Sequence, residues 1–363
     1  MDYRDYLNFS KEIYALRLSI TTGCILGCKY CFVKKTNQMM DFLTAQKAID
    51  LLLISPGKKK LLLIYGGEPL LHPSLKKIIL LALDKAKNLK KELDISLATN
   101  GLLLDKDFLS FFKKKQTRIS ISIDGDKETH DQNRVFINGN GSFNLLSRKL
   151  PLVFNYLNQK QLSAIMTITP KYSNKMFNNF SYLIKKGFRN IHLEPVQKTN
   201  WSNSQKENFY FNFEKIINYV LKNIENKKFI FLNSINPLLN QEKNFEEILY
   251  CPFYKCLEIY PQGEMAFSPF LLNLPESQKK RYIVGNVKKR FIKRYQNCHP
   301  GQTPYQCQNC YPDYYQDIKK SGARLVSWRN QLYQKATDHI YQRSLSDKNF
   351  KRYIKEAKKR IFE

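Results

Sequence analysis

Along the first two-thirds of the chain, short apolar runs of strand length alternate with longer segments of helical period. Ala15 to Ile20 alternates apolar and polar residues and predicts a strand that leads directly into a cysteine-containing loop. Thr44 to Leu53 has helical spacing, with Thr44 placed as its cap. Lys60 to Tyr65 is a buried-type strand stopped by Gly66 and Gly67, and Pro73 to Lys87 has the length and period of the next helix. The unit then recurs. A strand over Asp94 to Thr99 stops at Asn100 and precedes a helix over Asp105 to Lys113. Thr117 to Ile123 alternates strictly and stops at Asp124 and Gly125; a polar loop separates it from a helix over Asn144 to Leu157. Ser163 to Thr169, ended by Pro170, is a strand before a helix over Lys175 to Lys185 closed by Gly187. Ile191 to Leu193 is a sixth strand, stopped at Glu194 and Pro195, and Ser204 to Asn223 a long helix capped by Ser204.

Six strand-then-helix units joined by short turns imply an α/β fold with a parallel sheet and right-handed crossovers. Such sheets curl into barrels or partial barrels whose chemistry sits at the C-terminal strand ends. Those ends carry the cysteine loop, Gly66 to Pro69, Thr99 to Gly101, Asp124 with Gly125, Pro170, and Glu194 with Pro195. From about Glu225 the repeat stops and five further cysteines appear. The expected organisation is a partial (β/α)6 barrel over 1–225, a small cysteine-rich α+β domain over 226–320, and a basic helical tail over 321–363. In the tail Leu325, Trp328, Leu332 and Ala336 share a helix face, which predicts packing.

Composition narrows the class. No run of 18 apolar residues occurs and the N-terminus lacks an apolar segment, which points to a cytoplasmic protein with no membrane span. The net charge of +29, from 60 Lys and Arg against 31 Asp and Glu, raises an acidic peptide or protein partner or nucleic acid. Lysines are abundant everywhere, including Lys58 to Lys60 and Lys113 to Lys115 on expected surface turns, so a solvated surface accounts for the same count. No nucleic-acid module accompanies the basic tail.

Cys24, Cys28 and Cys31 place three thiols within eight residues of one loop. Three thiolates make a seat for an iron–sulfur cluster, and the missing fourth leaves one iron open to an exogenous molecule. A zinc knuckle is the alternative, but no nearby residue completes its tetrahedron.

The loop resembles the C-x3-C-x-aromatic-C signature of the radical S-adenosylmethionine (SAM) superfamily, with Tyr30 as the aromatic. The resemblance implies a [4Fe–4S] cluster whose open iron chelates SAM, and a 5′-deoxyadenosyl radical that takes hydrogen from a substrate; the protein contributes binding and orientation. Gly66, Gly67, Glu68 and Pro69 resemble the family's GGE motif, which implies that Glu68 meets SAM's ammonium. Ser122, Asp124 and Arg134 lie in a run resembling the S-x-D-G…H-D-x-x-R pattern of the peptide- and protein-modifying branch; by that likeness Ser122 and Arg134 bind SAM's carboxylate or ribose.

The later cysteines, Cys251, Cys256, Cys298, Cys307 and Cys310, leave a structural zinc site open on spacing alone. Their order, with the segments Ile259 to Ser268 and Val284 to Val287, resembles the SPASM or twitch extension that carries auxiliary clusters. Ser268, Gln316 and Lys320 stand where the fuller pattern has cysteines. One auxiliary [4Fe–4S] cluster is therefore expected, held by Cys251, Cys256, Cys307 and Cys310, with Cys298 either replacing a ligand or acting as a catalytic hydrogen donor.

Together these features predict a radical SAM enzyme that cross-links, epimerises or oxidises a peptide or protein, reduced by a donor such as flavodoxin or ferredoxin. The alternatives are a formylglycine-forming enzyme of the sulfatase-maturase kind, a small-molecule dehydrogenase, or a non-catalytic basic Fe–S or zinc protein on nucleic acid.

Overall fold

The computed structural model describes residues 13–196, 199–232, 256–267, 271–272, 274–280, 282–289 and 323–358. In chain order its elements are β1 (Ala15–Thr21), α1 (Phe42–Ile54), β2 (Lys59–Gly66), α2 (Leu75–Asn88), β3 (Glu92–Thr99), α3 (Lys106–Lys115) and β4 (Arg118–Ser122). There follow α4 (Lys127–Asn133), α5 (Phe143–Tyr156), β5 (Leu162–Ile168), α6 (Met176–Lys186), β6 (Asn190–Pro195), α7 (Asn203–Glu225) and β7 (Phe231–Leu232). Beyond these lie β8 (Cys256–Ile259), β9 (Glu264–Ala266), α8 (Glu276–Lys279), β10 (Gly285–Asn286), α9 (Ala323–Ser346) and α10 (Lys348–Lys358). The six predicted strand–helix units are all present, so the α/β class with parallel strands is the one observed.

The chain forms two compact units, one drawing on residues 1–117, 136–138 and 246–312, the other on 118–135, 139–245 and 313–363. In the first, β1 is flanked by β2 and β8, both parallel to it, and β3 lies parallel outside β2. β9 and β10 extend β8 antiparallel. Leu16, Leu18 and Ile20 are wholly buried on one face of β1, and α1, which packs on that strand, contributes Ala45, Ala48, Ile49 and Leu52. Each fully buried Leu or Ile contributes about 1.5–3 kcal/mol, so this layer fixes β1 and the loop at its end.

In the second unit β4, β5, β6 and β7 are parallel neighbours. The long α7 buries Phe209, Phe213, Ile216, Val220 and Ile224. The basic tail packs here: Tyr353 of α10 stacks on Phe231 with ring centroids 5.0 Å apart, and its hydroxyl donates to the Ile230 carbonyl at 3.1 Å. Ala336 is buried as the tail's helical pattern predicts; the side chains of Leu325, Trp328 and Leu332 lie outside the described residues.

Several local expectations are corrected. Asp41, not Thr44, caps α1: its Oδ1 accepts from Thr44 N at 2.7 Å, and buried Thr44 donates its hydroxyl to Oδ2 at 2.8 Å. Ser202, not Ser204, caps α7 through a capping box with Gln205. The polar loop after β4 contains α4, a helix capped by Asp126. Lys60 is not on a surface turn. It is fully buried at the start of β2, and its ammonium donates to the Ile13 carbonyl, Ser55 Oγ and the Pro56 carbonyl, each at 2.6 Å.

Candidate functional site

The cysteine loop is closed at its base by the residues on either side. Met40 N donates to the Ile20 carbonyl at 2.8 Å and Thr22 N to the Gln38 carbonyl at 2.9 Å; the Thr22 and Thr36 hydroxyls meet at 3.0 Å. The loop therefore starts and ends at one place, the C-terminal end of β1. Cys24, Cys28 and Cys31 are half-buried in it. Backbone N–H groups point at the sulfurs: Leu26 N lies 3.4 Å from Cys24 Sγ and Val33 N 3.4 Å from Cys31 Sγ. From the end of β3, the Asn100 amide reaches Cys24 Sγ at 3.8 Å. Burial pushes the Cys24 thiol up, and the nearby Glu68 carboxylate adds to the shift.

The turn after β2 is locked onto this loop. Gly66 has φ +132°, and a Cβ there would stand 2.3 Å from the Thr21 carbonyl; one at Gly67 would stand 2.0 Å from the Gly23 carbonyl. Only glycine allows the approach, in which Gly67 N donates to Thr21 O at 2.7 Å and Glu68 N to Gly23 O at 2.8 Å. Pro69 then opens a short 3-10 turn, Pro69–Leu71. The wholly buried Glu68 carboxylate accepts from Thr99 Oγ1 at 2.7 Å, Asn100 N at 2.8 Å and Leu70 N at 3.1 Å. Burial pushes this carboxyl up to about 7 against the pull of those three donors. The ends of β1, β2 and β3 thus converge in one hydrogen-bonded group. Both Glu68 oxygens are engaged by the chain itself: Oε1 accepts from Thr99 and Leu70, and Oε2, which accepts only from Asn100, keeps a second lone pair.

In the second unit, Ser122 ends β4 half-buried. Asp124 Oδ1 accepts from Arg134 Nε and from Thr167 N, each at 3.0 Å, and Arg134 Nη2 donates to Thr167 Oγ1 at 3.2 Å. Asp124 and Arg134 are a buried ion pair, with side chains 0% and 8% exposed. His130 bonds Ser142 Oγ at 3.0 Å, and burial, reinforced by Arg134, holds its imidazole well below the usual histidine range. His192 is half-buried and Glu194 exposed.

Of the later cysteines only Cys256 lies among the described residues; Cys251, Cys298, Cys307, Cys310 and Ser268 lie outside them. Cys256 is buried at the head of β8, packed with Ala15 and Leu61. Among the described residues no three Cys, His, Asp or Glu side chains converge as ligands of a single ion. The donor set, three thiols on one loop with backbone N–H groups aimed at two of the sulfurs, fits an iron–sulfur cluster, where such contacts are a standard tuning device. Sequence reasoning missed Asn100 at Cys24, for which the Thr99-Asn-Gly101 stop is the only signal, and a part-buried Tyr65–Glu258 hydrogen bond, for which there is none.

Residues 18–181 match the Radical SAM superfamily. An uncharacterized protein of Methanocaldococcus jannaschii is 28% identical over 257 residues, 65% of this chain and 84% of that protein. A cysteine-type anaerobic sulfatase-maturating enzyme of Clostridium novyi is 23% identical over 343 residues, 86% of this chain and 88% of that one. Among solved structures, native anSMEcpe with bound AdoMet and Cp18Cys peptide superposes with TM-score 0.65 at 17% identity, over 88% of this chain and 99% of that one. Streptococcus suis SuiB bound to precursor peptide SuiA gives 0.54 at 14% identity, over 82% and 67%. Residues 18–181 form a radical SAM domain, of a superfamily that uses a [4Fe–4S] cluster and S-adenosylmethionine, and over most of its length the chain is similar to the anaerobic sulfatase-maturating enzymes.

Proposed function

We propose that the chain is an enzyme that cross-links, epimerises or oxidises a peptide or protein, with Cys24, Cys28 and Cys31 as the ligands of its SAM-binding cluster. The observation that carries this is the interlock of the cysteine loop with the Gly66–Gly67–Glu68 turn, which brings three thiols, two glycine backbones and a carboxylate to one strand end. When bound, the cluster and SAM supply a 5′-deoxyadenosyl radical that removes a hydrogen atom. Leu26 and Val33 steady the thiolates through their N–H groups, and Asn100 adds a side-chain donor. Gly66 and Gly67 let the turn's backbone lock onto the cysteine loop, and the free lone pair on Glu68 Oε2 accepts a hydrogen bond from an ammonium. Pro69 fixes the turn's exit. Ser122 offers a hydroxyl to the cofactor's polar groups, and Asp124 holds Arg134 in place to do the same.

Cys251, Cys256, Cys307 and Cys310 hold one auxiliary cluster, with Cys298 as replacement ligand or hydrogen donor. A flavodoxin- or ferredoxin-like donor supplies electrons. Peptide is the favoured substrate because the solved structures of like fold include two described with bound peptides, and the +29 charge favours an acidic one. A formylglycine-forming activity is the second reading, favoured by the likeness to the Clostridium novyi enzyme over most of both chains. Ser268, Gln316 and Lys320 count against a close match, since they remove ligands for a second auxiliary cluster.

The test is anaerobic reconstitution followed by iron analysis and incubation with SAM and reductant. About eight irons per chain support two clusters, and about four remove the auxiliary one. Absence of 5′-deoxyadenosine with clusters intact overturns the enzymatic reading, and peptide mass spectrometry assigns the change made.

A further inference from the structure

On β1 the residues alternate between a wholly apolar face, packed on α1, and a polar face carrying Arg17 and Ser19. In register, Arg17 stands beside Glu258 of β8, and Ser19 beside Tyr65 of β2. Tyr65 and Glu258, on strands either side of β1, hydrogen-bond to each other across its face through the phenol and Oε1. Ser19 and Glu258 are wholly buried, yet Ser19 Oγ and Glu258 Oε2 have no hydrogen-bond partner. A buried polar atom left unbonded costs the protein its desolvation, about 1–3 kcal/mol. Two on one sheet face, where β1 leads into the cysteine loop, indicate a place built to receive a ligand's polar group.

We propose that Ser19 and Glu258, framed by Tyr65 and Arg17, form a subsite for a neutral amide group of the substrate, resting on the reading that the substrate is a peptide. The chemistry selects the amide. A hydroxyl and a carboxyl oxygen are met by a group that offers one acceptor and one donor together, and a peptide unit is the commonest such group. Arg17 beside Glu258 opposes an isolated cation, and an isolated anion offers no donor to the Glu258 carboxyl oxygen. The subsite holds and orients; no bond is made or broken in it.

The alternative is that the hydroxyl and the carboxylate are internal structure under the Tyr65 ring. Two variants of the anaerobically reconstituted full chain separate these: Ser19→Ala, and the double Tyr65→Phe with Glu258→Leu, which removes the bridging bond and the unbonded oxygen together. The expected result is that ligand-observed NMR detects saturable binding of N-methylacetamide to the unaltered enzyme but not of acetate or methylammonium. Both variants bind the amide roughly tenfold more weakly, while their melting temperatures are equal to or above that of the parent. Melting temperatures lowered by several degrees with amide binding retained overturn the proposal, as does no amide binding by the parent. Amide binding lost in the variants while no peptide is ever modified keeps the subsite and discards the peptide reading. A peptide modified with unchanged KM in both variants discards the subsite and keeps that reading.

Discussion

Gly67 lies so close to Gly23 that a single added carbon would sit 2.0 Å from the Gly23 carbonyl oxygen. The turn after the second strand and the loop after the first therefore share one backbone interface, and neither moves without the other. Replacing Gly67 by Ala forces that interface open. The expected cost is roughly 2 kcal/mol or more by urea denaturation, together with loss of iron from the reconstituted protein. Gly139→Ala is the control: Gly139 also has positive φ, +88°, but has nothing within 4 Å of its added carbon. It should cost only left-handed strain, about 1–2 kcal/mol, and leave the iron content unchanged.

The Asp124–Arg134 pair gives a second outcome. Asp124→Ala leaves a guanidinium buried without its counter-charge and removes the acceptor for Thr167 N. A loss of about 3–5 kcal/mol is expected, read from the urea midpoint. Asp124→Asn, which keeps an oxygen acceptor, should lose less.

Glu68 makes stability depend on pH. Its folded value, about 7, lies above the 4.5 of an ordinary glutamate, so between these two values the folded chain binds the extra proton. Its contribution is fully present below about 4.5 and is lost as pH rises through 7. On the metal-free chain, urea midpoints from pH 4.5 to 8 should fall by an amount on the order of 2–3 kcal/mol from this group. Glu68→Gln should flatten that slope. An unchanged slope in the variant would assign the pH dependence to other groups.

Lys60→Met removes three hydrogen bonds at once and leaves the Ile13 and Pro56 carbonyls and Ser55 Oγ without their ammonium. A loss of about 1–3 kcal/mol is expected, seen as a lower midpoint with an unchanged denaturant slope. The neighbouring Lys58, which pairs with Glu92 on the surface, should tolerate the same change within about 0.5 kcal/mol.

What was legible in the sequence is what local pattern encodes. The alternation at Ala15 to Ile20 and the apolar run at Leu61 to Ile64 carry their own signals, and so does the glycine pair after them. Lys60 was misplaced because charge alone suggests solvent; its burial depends on three oxygens gathered from residues 13, 55 and 56, which no window around position 60 reveals. The helix Lys127–Asn133 is too polar to show a periodic face, and only the Asp126 cap announces it. The Asp124–Arg134 pairing and Asn100 at Cys24 join positions 10 and 76 residues apart. Spacing could suggest that these residues matter but not that they touch.

The placement of β8 beside β1 pairs Ala15 with Cys256. During synthesis, β1 and β2 emerge early, yet one long edge of β1 has no strand to accept it until some 240 further residues have been made. A pairing so distant in sequence is slow to form, and an uncovered strand edge recruits other chains. The strand that leads into Cys24, Cys28 and Cys31 is thus paired on both edges only once residues 256–259 have been made. An edge left open for that long makes aggregation during synthesis the expected failure on expression.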